Sequence, residues 1–92
     1  MEDLKILDLS YNKIGFIHPI TFNSNPKIEH LNVSNNCLDK TTSLTFLSKL
    51  HNLKKLDISE NLIYNLSLTS AVKPLHPQTL TTLETFFFKQ KG

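Results

Sequence analysis

Two aspartates, Asp8 and Asp57, are the residues of this chain whose type and spacing best suit acid–base chemistry. Each stands between two apolar residues, in the phrases LDL and LDI. If these phrases form parallel strands with one strand between them, the carboxylates lie about 10 Å apart, because adjacent strands are roughly 4.8 Å apart. That separation is at the outer edge for a glycosidase pair. A sheet surface without a cleft cannot raise one of the two pKa values, so we predict no enzymatic activity.

Histidine and cysteine are the other residues that could do chemistry. The chain has His18, His30, His51 and His76, and one cysteine, Cys37. No His-x-x-x-His or Cys-x-x-Cys spacing occurs, so the sequence predicts neither a metal site nor a cofactor. A single cysteine can form no intrachain disulfide and no zinc site built on thiolates.

Composition and charge limit the class of protein. With 92 residues, 39% of them hydrophobic and 20% charged, the sequence indicates one folded domain. The net charge is +2, and all the basic residues are scattered lysines, which argues against nucleic-acid binding. No apolar run approaches the roughly 18 residues of a membrane span. Glu2 and Asp3 stand where a secretory signal is basic, so we expect none in the chain as written.

The six-residue phrase that contains Asp8 occurs three times with small changes, once in each of the units 4–27, 28–52 and 53–79. Position one of each unit is apolar, and so are positions four, six and eleven. Residues two apart on a strand face the same side, so positions four and six point into one interior. One unit cannot bury these residues alone, whereas stacked units share a continuous core. The unit starts are Leu4, Ile28 and Leu53.

Position nine is asparagine in every unit: Asn12, Asn36 and Asn61. A buried amide must find hydrogen-bond partners, and a sharp turn after a strand leaves backbone groups unpaired. An asparagine side chain can donate two hydrogen bonds and accept others. We therefore predict that the three asparagines form a structural ladder through the stack.

Three in-frame copies of L-x-x-L-x-L-x-x-N-x-L resemble the leucine-rich-repeat family, in its typical 24-residue class. The sequence is similar to a fragment of an extracellular receptor ectodomain such as that of a Toll-like receptor. The resemblance implies an α/β repeat solenoid, here a horseshoe segment. Its concave face would carry a short parallel β-sheet and its convex side irregular or short helical segments. It further implies that the concave face binds a protein or another macromolecule.

The end of the chain does not follow the repeat. A degenerate partial unit, 80–92, can begin at Leu80, with Leu83 at position four and Thr85 at position six, but no asparagine follows. The run of three phenylalanines at 86–88 either covers the open end of the core or marks a truncated repeat. Solenoid ends need polar caps, and neither end has one, so we expect a longer parent protein or self-association through the uncapped ends.

The repeat positions at which the residue differs from unit to unit are the candidates for recognition. Positions three, eight and ten vary, and of these positions three and eight are expected to project from the sheet or its edge. Tyr11 is the strongest single candidate, because aromatic residues are enriched in binding hot spots. The predicted binding residues are Ile6, Tyr11, His30, Asn35, Lys55 and Glu60.

Two N-x-S/T sequons, at Asn32 and Asn65, are possible glycosylation sites. They favour an extracellular or membrane-anchored parent protein, whereas the free thiol of Cys37 favours a reducing cytoplasmic location. Four hypotheses therefore remain open. They are a receptor segment, a small intracellular adaptor, a hydrolase using Asp8 and Asp57, and a truncated product without independent function.

Overall fold

The computed structural model describes residues 3–91 and contains one parallel β-sheet whose strand order follows the chain. A 3₁₀ helix and two short α-helices lie in the segments that connect the strands. In the described residues, none of the helices has the length and apolar character needed to cross a membrane. The elements are β1 (Ile6–Asp8), β2 (His30–Asn32), the 3₁₀ helix (Thr41–Lys49), β3 (Lys55–Asp57), α1 (Leu68–Val72), α2 (Thr79–Thr82) and β4 (Thr85–Phe87).

The same backbone hydrogen bonds recur at all three strand junctions. The carbonyl at position two accepts from the N–H groups at positions two and three of the next unit. The N–H at position six donates to the carbonyl at position five of the next unit, and the N–H at position eight donates to the carbonyl at position seven. Between the first two units these donor–acceptor distances run from 2.7 to 3.2 Å. The units therefore stack in register, as the in-frame sequence phrases predict.

The fourth unit is present, but three residues later than the sequence analysis placed it. Phe86 pairs with Leu56, so it occupies position four, and Leu83 then occupies position one. The prediction that Leu80 opens this unit, with Thr85 at position six, is therefore wrong; Thr85 pairs with Lys55 at position three. The third unit is longer than the others because its connection holds both α1 and α2.

Asparagine amides connect neighbouring units at position nine. The Asn61 Nδ2 donates to the carbonyls of Val33, Ile58 and Ser59 at 3.0, 3.0 and 3.2 Å, and its Oδ1 accepts from the Leu38 N–H at 3.1 Å. Asn36 makes the equivalent four bonds one unit earlier. Asn12 differs, because its Nδ2 donates only to two carbonyls of its own unit.

Gln90 takes the place of the asparagine in the fourth unit. It stands at position eight, one residue earlier, and its longer side chain reaches the same kind of partners. Its Nε2 donates to the carbonyls of Ile58 and Phe88 at 2.9 and 2.8 Å, and its Oε1 accepts from the Ile63 N–H at 3.1 Å. The ladder of amides thus extends through a unit that has no asparagine.

Burial of the core falls off toward both ends of the stack. At position four, Leu31 and Leu56 are 1% and 0% exposed, whereas Leu7 and Phe86 are half-buried. Positions one and six follow the same gradient. The two inner units are covered on both sides, whereas residues 3–91 provide each outer unit with a neighbour on one side.

The connecting segments close the other side of the core. The 3₁₀ helix buries Leu44, Phe46 and Leu47 completely, and the Phe46 ring lies 5.8 Å from the Phe22 ring of the first unit. The buried hydroxyl of Thr79 in α2 donates to the Leu50 carbonyl at 2.8 Å. Short helical segments therefore pack the second and third connections against the unit before each of them.

The residue at position eight adopts the left-handed conformation in each of the first three units. The φ angles are +56° at Tyr11, +55° at Asn35 and +56° at Glu60. This conformation turns the chain out of the strand just before the asparagine at position nine. For residues other than glycine it costs about 1–2 kcal/mol, somewhat less for asparagine.

Glu60→Gly should therefore stabilise the protein, by about 0.5–1 kcal/mol. The relief of left-handed strain exceeds the entropy that glycine adds to the unfolded chain. The Glu60 N–H, which donates to the Lys89 carbonyl at 2.7 Å, is kept in this variant. Urea unfolding of Glu60→Gly and of the control Glu60→Ala, which keeps the strain, measures the difference. Equal stability of the two variants would show that the left-handed residue carries no strain.

Candidate functional site

The side of the sheet that faces away from the core forms the candidate site. We call it the open sheet face, and it consists of positions three and five of the four strands. The position-three residues are Ile6, His30, Lys55 and Thr85, and the position-five residues are Asp8, Asn32, Asp57 and Phe87. Since side chains alternate along a strand, these positions face solvent while position four is buried.

A recess of about 240 Å³ lies on the open sheet face. It extends across all four strands and reaches Ile6 on β1 and Phe87 on β4. Pockets for drug-sized ligands usually have volumes of about 300–1,000 Å³. The recess is smaller than that, and its lining includes the exposed side chains of Ile6 and Phe87.

The two aspartates on the open sheet face hold the backbone turns that follow their strands. The Asp8 Oδ1 accepts from the Ser10 N–H at 2.9 Å and from the Ser10 hydroxyl at 2.6 Å. The Asp57 Oδ1 accepts from the N–H and hydroxyl of Ser59 in the same way. This arrangement gives both carboxylates a structural task.

The pKa of Asp8 lies below its ordinary value, because the Ser10 hydroxyl and N–H groups both stabilise the charged carboxylate. A lowered pKa in the folded state stabilises the protein at pH values above the unfolded pKa, near 4. That contribution disappears as the pH falls through the folded pKa.

Ser10→Ala should raise the pKa of Asp8 toward its ordinary value, because the larger of the two hydrogen-bonding contributions comes from the hydroxyl. NMR titration of the Asp8 carboxyl carbon in the wild type and the variant measures the change. Ser48→Ala is a suitable control, because the Ser48 hydroxyl donates to the Thr45 carbonyl rather than to a carboxylate. An unchanged titration in Ser10→Ala would contradict this account of the turn.

The structure brings together three of the six predicted binding residues. Ile6, His30 and Lys55 lie side by side on β1, β2 and β3 and line the recess. The other three predicted residues occupy position eight, in the left-handed turn that follows each strand, and do not line the recess. Of these, Tyr11 is 79% exposed, whereas Asn35 and Glu60 are half-buried.

The predicted set omits the position-five residues that line the recess: Asp8, Asn32, Asp57 and Phe87. The sequence pattern gives the aspartates the same position in their strands, but the predicted set was drawn from positions three and eight. Phe87 was missed because the fourth unit was placed in the wrong register. Aligning Phe86-Phe87-Phe88 with the Leu-Asp-Ile phrase of the third unit would have placed it at position five.

The two sequon asparagines occupy different surroundings. Asn32 is half-buried at the C-terminal end of β2, and its Oδ1 accepts from the Ser34 N–H at 2.9 Å. Ser34, the third residue of that sequon, is only 4% exposed. Asn65 is exposed in a left-handed turn with φ of +55°, outside the sheet.

Within the part of the chain that the structure describes, no group of three or more His, Cys, Asp or Glu residues could hold a metal ion. His51 and His76 stack with ring centroids 4.1 Å apart, which is a packing contact between ring faces. Cys37 is a free thiol on the surface.

Comparison with known proteins agrees with the observed repeat geometry. A family model described as leucine rich repeat matches residues 2–63, about two thirds of the chain. No solved structure matches. The matched region covers the first two units and the strand, turn and asparagine of the third, which are the parts that repeat most regularly. This chain therefore belongs to the leucine-rich-repeat family.

Proposed function

We propose that this chain is a recognition segment that binds a macromolecular partner, foremost a protein, through the open sheet face. Leucine-rich repeats generally mediate protein–protein recognition and are not enzymes. In the family the corresponding surface is the concave face of a horseshoe. The finer assignment to this surface, and to a particular group of residues on it, is our proposal.

One observation carries the proposal: the open sheet face combines exposed apolar residues with charged residues that differ from unit to unit. Ile6 and Phe87 are 66% and 50% exposed at opposite ends of the recess. Between them lie Lys55, His30 and the carboxylate of Asp57. Apolar contacts flanked by polar groups are the usual composition of a protein-binding surface.

We further propose that the segment belongs to a receptor-type parent protein, similar to Toll-like receptors in its repeat phrase, outside the cell or at its surface. The alternative is a cytoplasmic adaptor that uses the same face, which the exposed thiol of Cys37 favours. Nucleic acid is not proposed as a partner, because Lys55 is the one lysine among the described residues of the open sheet face, so they form no basic stripe.

Affinity capture from the source tissue with matched variants tests the proposal. The test variant carries Ile6→Asp, Lys55→Glu and Phe87→Asp, which reverse or remove the main features of the open sheet face. The control carries Lys49→Glu and Lys73→Glu, on the exposed surface of the connecting segments. We expect proteins that are retained by the wild type and the control to be lost with the test variant.

Both variants must first show the circular dichroism spectrum and urea midpoint of a folded chain. If the test variant retains the same proteins as the wild type, or if the control loses them, the open sheet face is not the binding surface. If neither variant retains the proteins that the wild type retains, binding occurs at another surface or depends on the net charge of the chain.

We expect Asn65 to carry a glycan in the native protein if the parent is extracellular. Its exposed turn leaves room for a sugar, whereas a glycan on Asn32 would cover the recess. Intact mass before and after enzymatic glycan removal measures this, with Asn65→Gln as the test and Asn32→Gln as the control in secretory expression. An unmodified native protein would favour the cytoplasmic adaptor instead.

A further inference from the structure

The recess on the open sheet face lies between two rows of side chains that differ in charge. The position-five row contains the carboxylates of Asp8 and Asp57, with the amide of Asn32 between them. The position-three row presents the Lys55 ammonium, with His30 beside it. Residues two apart on a strand are about 7 Å apart, which sets the distance between the rows. Further strands in a longer parent protein would add to the edges of the sheet and leave this face open.

The polar atoms of the position-five row are available to a partner. The two ion pairs within residues 3–91 both lie outside the two rows. Each aspartate uses its Oδ1 for the turn, so its Oδ2 accepts from no described residue. The Asn32 Oδ1 is engaged in the same way, which leaves its Nδ2 as a donor. Since every buried polar side-chain atom of the described residues has a partner, these atoms contact solvent. Across three strands the row therefore presents an acceptor, a donor and an acceptor.

The spacing of this row selects the conformation of the segment that fits it. Because adjacent strands are about 4.8 Å apart, the two carboxylates are about 10 Å apart. In a polyproline II segment, residues three apart lie on one side and are separated by about 9.3 Å. On one side of a β-strand the separations are about 6.8 and 13.6 Å, and neither matches. An α-helix is about 10–12 Å in diameter, which exceeds the distance of about 7 Å between the rows.

The hydrogen-bonding groups favour the same kind of segment. A polyproline II backbone has no internal hydrogen bonds, so a carbonyl between the two charged residues can accept from the Asn32 Nδ2. Lysine suits each carboxylate better than arginine does, because a bidentate pair needs both oxygens and Oδ1 is already engaged. An acidic residue on the side of the segment that faces Lys55 completes the charge complementarity.

We propose that the recess binds an extended segment of a protein partner in the polyproline II conformation, with two lysines three residues apart and an acidic residue between them. In this arrangement the lysines bind Asp8 and Asp57, and the acidic residue faces Lys55. The segment crosses the strands nearly at right angles. This inference rests on the proposed recognition function and specifies the chemistry of its partner.

Three synthetic peptides test the spacing on the wild-type chain. The test peptide is an oligoproline with two lysines three residues apart and a glutamate between them. The first control has the same composition, but its lysines are two residues apart and therefore lie on different sides of the helix. The second control is a stapled α-helix with the lysines seven residues apart, which is about 10.5 Å on one side. Fluorescence anisotropy at low salt measures each dissociation constant.

We expect the test peptide to bind at least about fivefold more tightly than either control, since two ion pairs and one hydrogen bond depend on the spacing. In NMR spectra, the side-chain amide of Asn32 and the carboxyl carbons of Asp8 and Asp57 should shift as the test peptide is added. The side-chain amide of Asn61 is fully buried and should not shift, so it serves as the internal reference.

A variant with Asp8→Asn and Asp57→Asn removes both charges and keeps the turns, because Asn32 makes the same turn contact with an amide oxygen. The control variant carries Asp39→Asn and Glu84→Gln, which remove as much charge from exposed positions outside the recess. The first variant should bind the test peptide at least about fivefold more weakly than the wild type. The control variant should differ from the wild type by less than about twofold, because salt screens distant charges.

Several results would overturn the proposal. Equal binding of the three peptides, or tighter binding of the stapled helix, excludes the polyproline II segment. Undiminished binding by the double asparagine variant, or an equal loss in the control variant, excludes the two carboxylates as the binding groups. The comparison of peptides uses the wild type alone, so it decides the question even if a variant does not fold.

These results are distinguishable from a failure of the proposed function. Affinity capture tests that function with changes at Ile6, Lys55 and Phe87, and a partner that binds the open sheet face in another conformation would still be lost there. If the peptides behave as expected but the captured proteins do not depend on the open sheet face, the recognition function is wrong, and this account of its partner is wrong with it.

Discussion

Asn61→Ala is expected to lower the free energy of unfolding by about 3–5 kcal/mol, because each buried polar group left without a partner costs about 1–3 kcal/mol. The Asn61 side chain is fully buried and is hydrogen-bonded to backbone groups in two units. A chain of this size is stable by about 5–14 kcal/mol in total, so the change removes a large share of it. Urea unfolding followed by circular dichroism measures the loss.

Asn12→Ala is the matched control for the ladder. Asn12 occupies the same position in the first unit, but it is exposed and bonds only within its own unit. We expect a cost below about 1 kcal/mol, the net value of a typical hydrogen bond in contact with water. Equal losses from Asn12→Ala and Asn61→Ala would mean that the connection between units contributes nothing to stability.

Leu31→Ala should cost about 2–5 kcal/mol, the usual range for removing a buried leucine from a packed core. Leu31 is 1% exposed on β2 and lies between Leu7 and Leu56 in the sheet. The substitution therefore opens a cavity between two units that cannot move apart without breaking strand hydrogen bonds. Thermal or urea unfolding measures the change.

Leu7→Ala separates the effect of burial from the effects of residue type and position in the repeat. Leu7 is the same residue at the same position, but it is half-buried at the end of the stack. Because less apolar surface is removed from contact and solvent can fill the space, we expect no more than half the cost of Leu31→Ala. A wild-type unfolding midpoint for Leu31→Ala would show that the assignment of the central core is wrong.

The regular part of the fold could be predicted because five positions of the repeat, namely one, four, six, nine and eleven, agree in the first three units. Leu7, Leu31 and Leu56 align at position four in the sequence and pair directly in the sheet. The parallel sheet and the short helical segments were predicted through the resemblance to the leucine-rich-repeat family, which this alignment supports.

The fourth unit was placed wrongly because its own residues do not fix its register. Phe86, Phe87 and Phe88 suit positions four and six in more than one alignment, and there is no asparagine to choose among them. Gln90 could not be recognised as the replacement, because its role depends on a longer side chain reaching the partners of an asparagine from one residue earlier. Only the three-dimensional positions of those partners show this.

The candidate site could be predicted only in part, because the sequence shows the period of the strands but not the backbone conformation of the turns. The period of the strands shows which residues share the open sheet face, as with Ile6, His30 and Lys55. It does not show that position eight leaves the strand in a left-handed turn, which takes Tyr11 away from the recess. Backbone conformation at a turn without glycine leaves little trace in the sequence.

The gradient of burial along the stack has a consequence for the order in which the chain folds. Every strand pairs with one 24, 25 or 30 residues away, as Ile6 does with His30, His30 with Lys55 and Lys55 with Thr85. The entropy of closing these three loops differs by only about 0.2 kcal/mol, because it grows with the logarithm of length. Loop length therefore does not determine which two strands pair first. The amount of apolar surface that each contact buries determines it. The contact between β2 and β3 joins the two inner units, so we expect the folding nucleus to form there and the outer units to add to it afterwards.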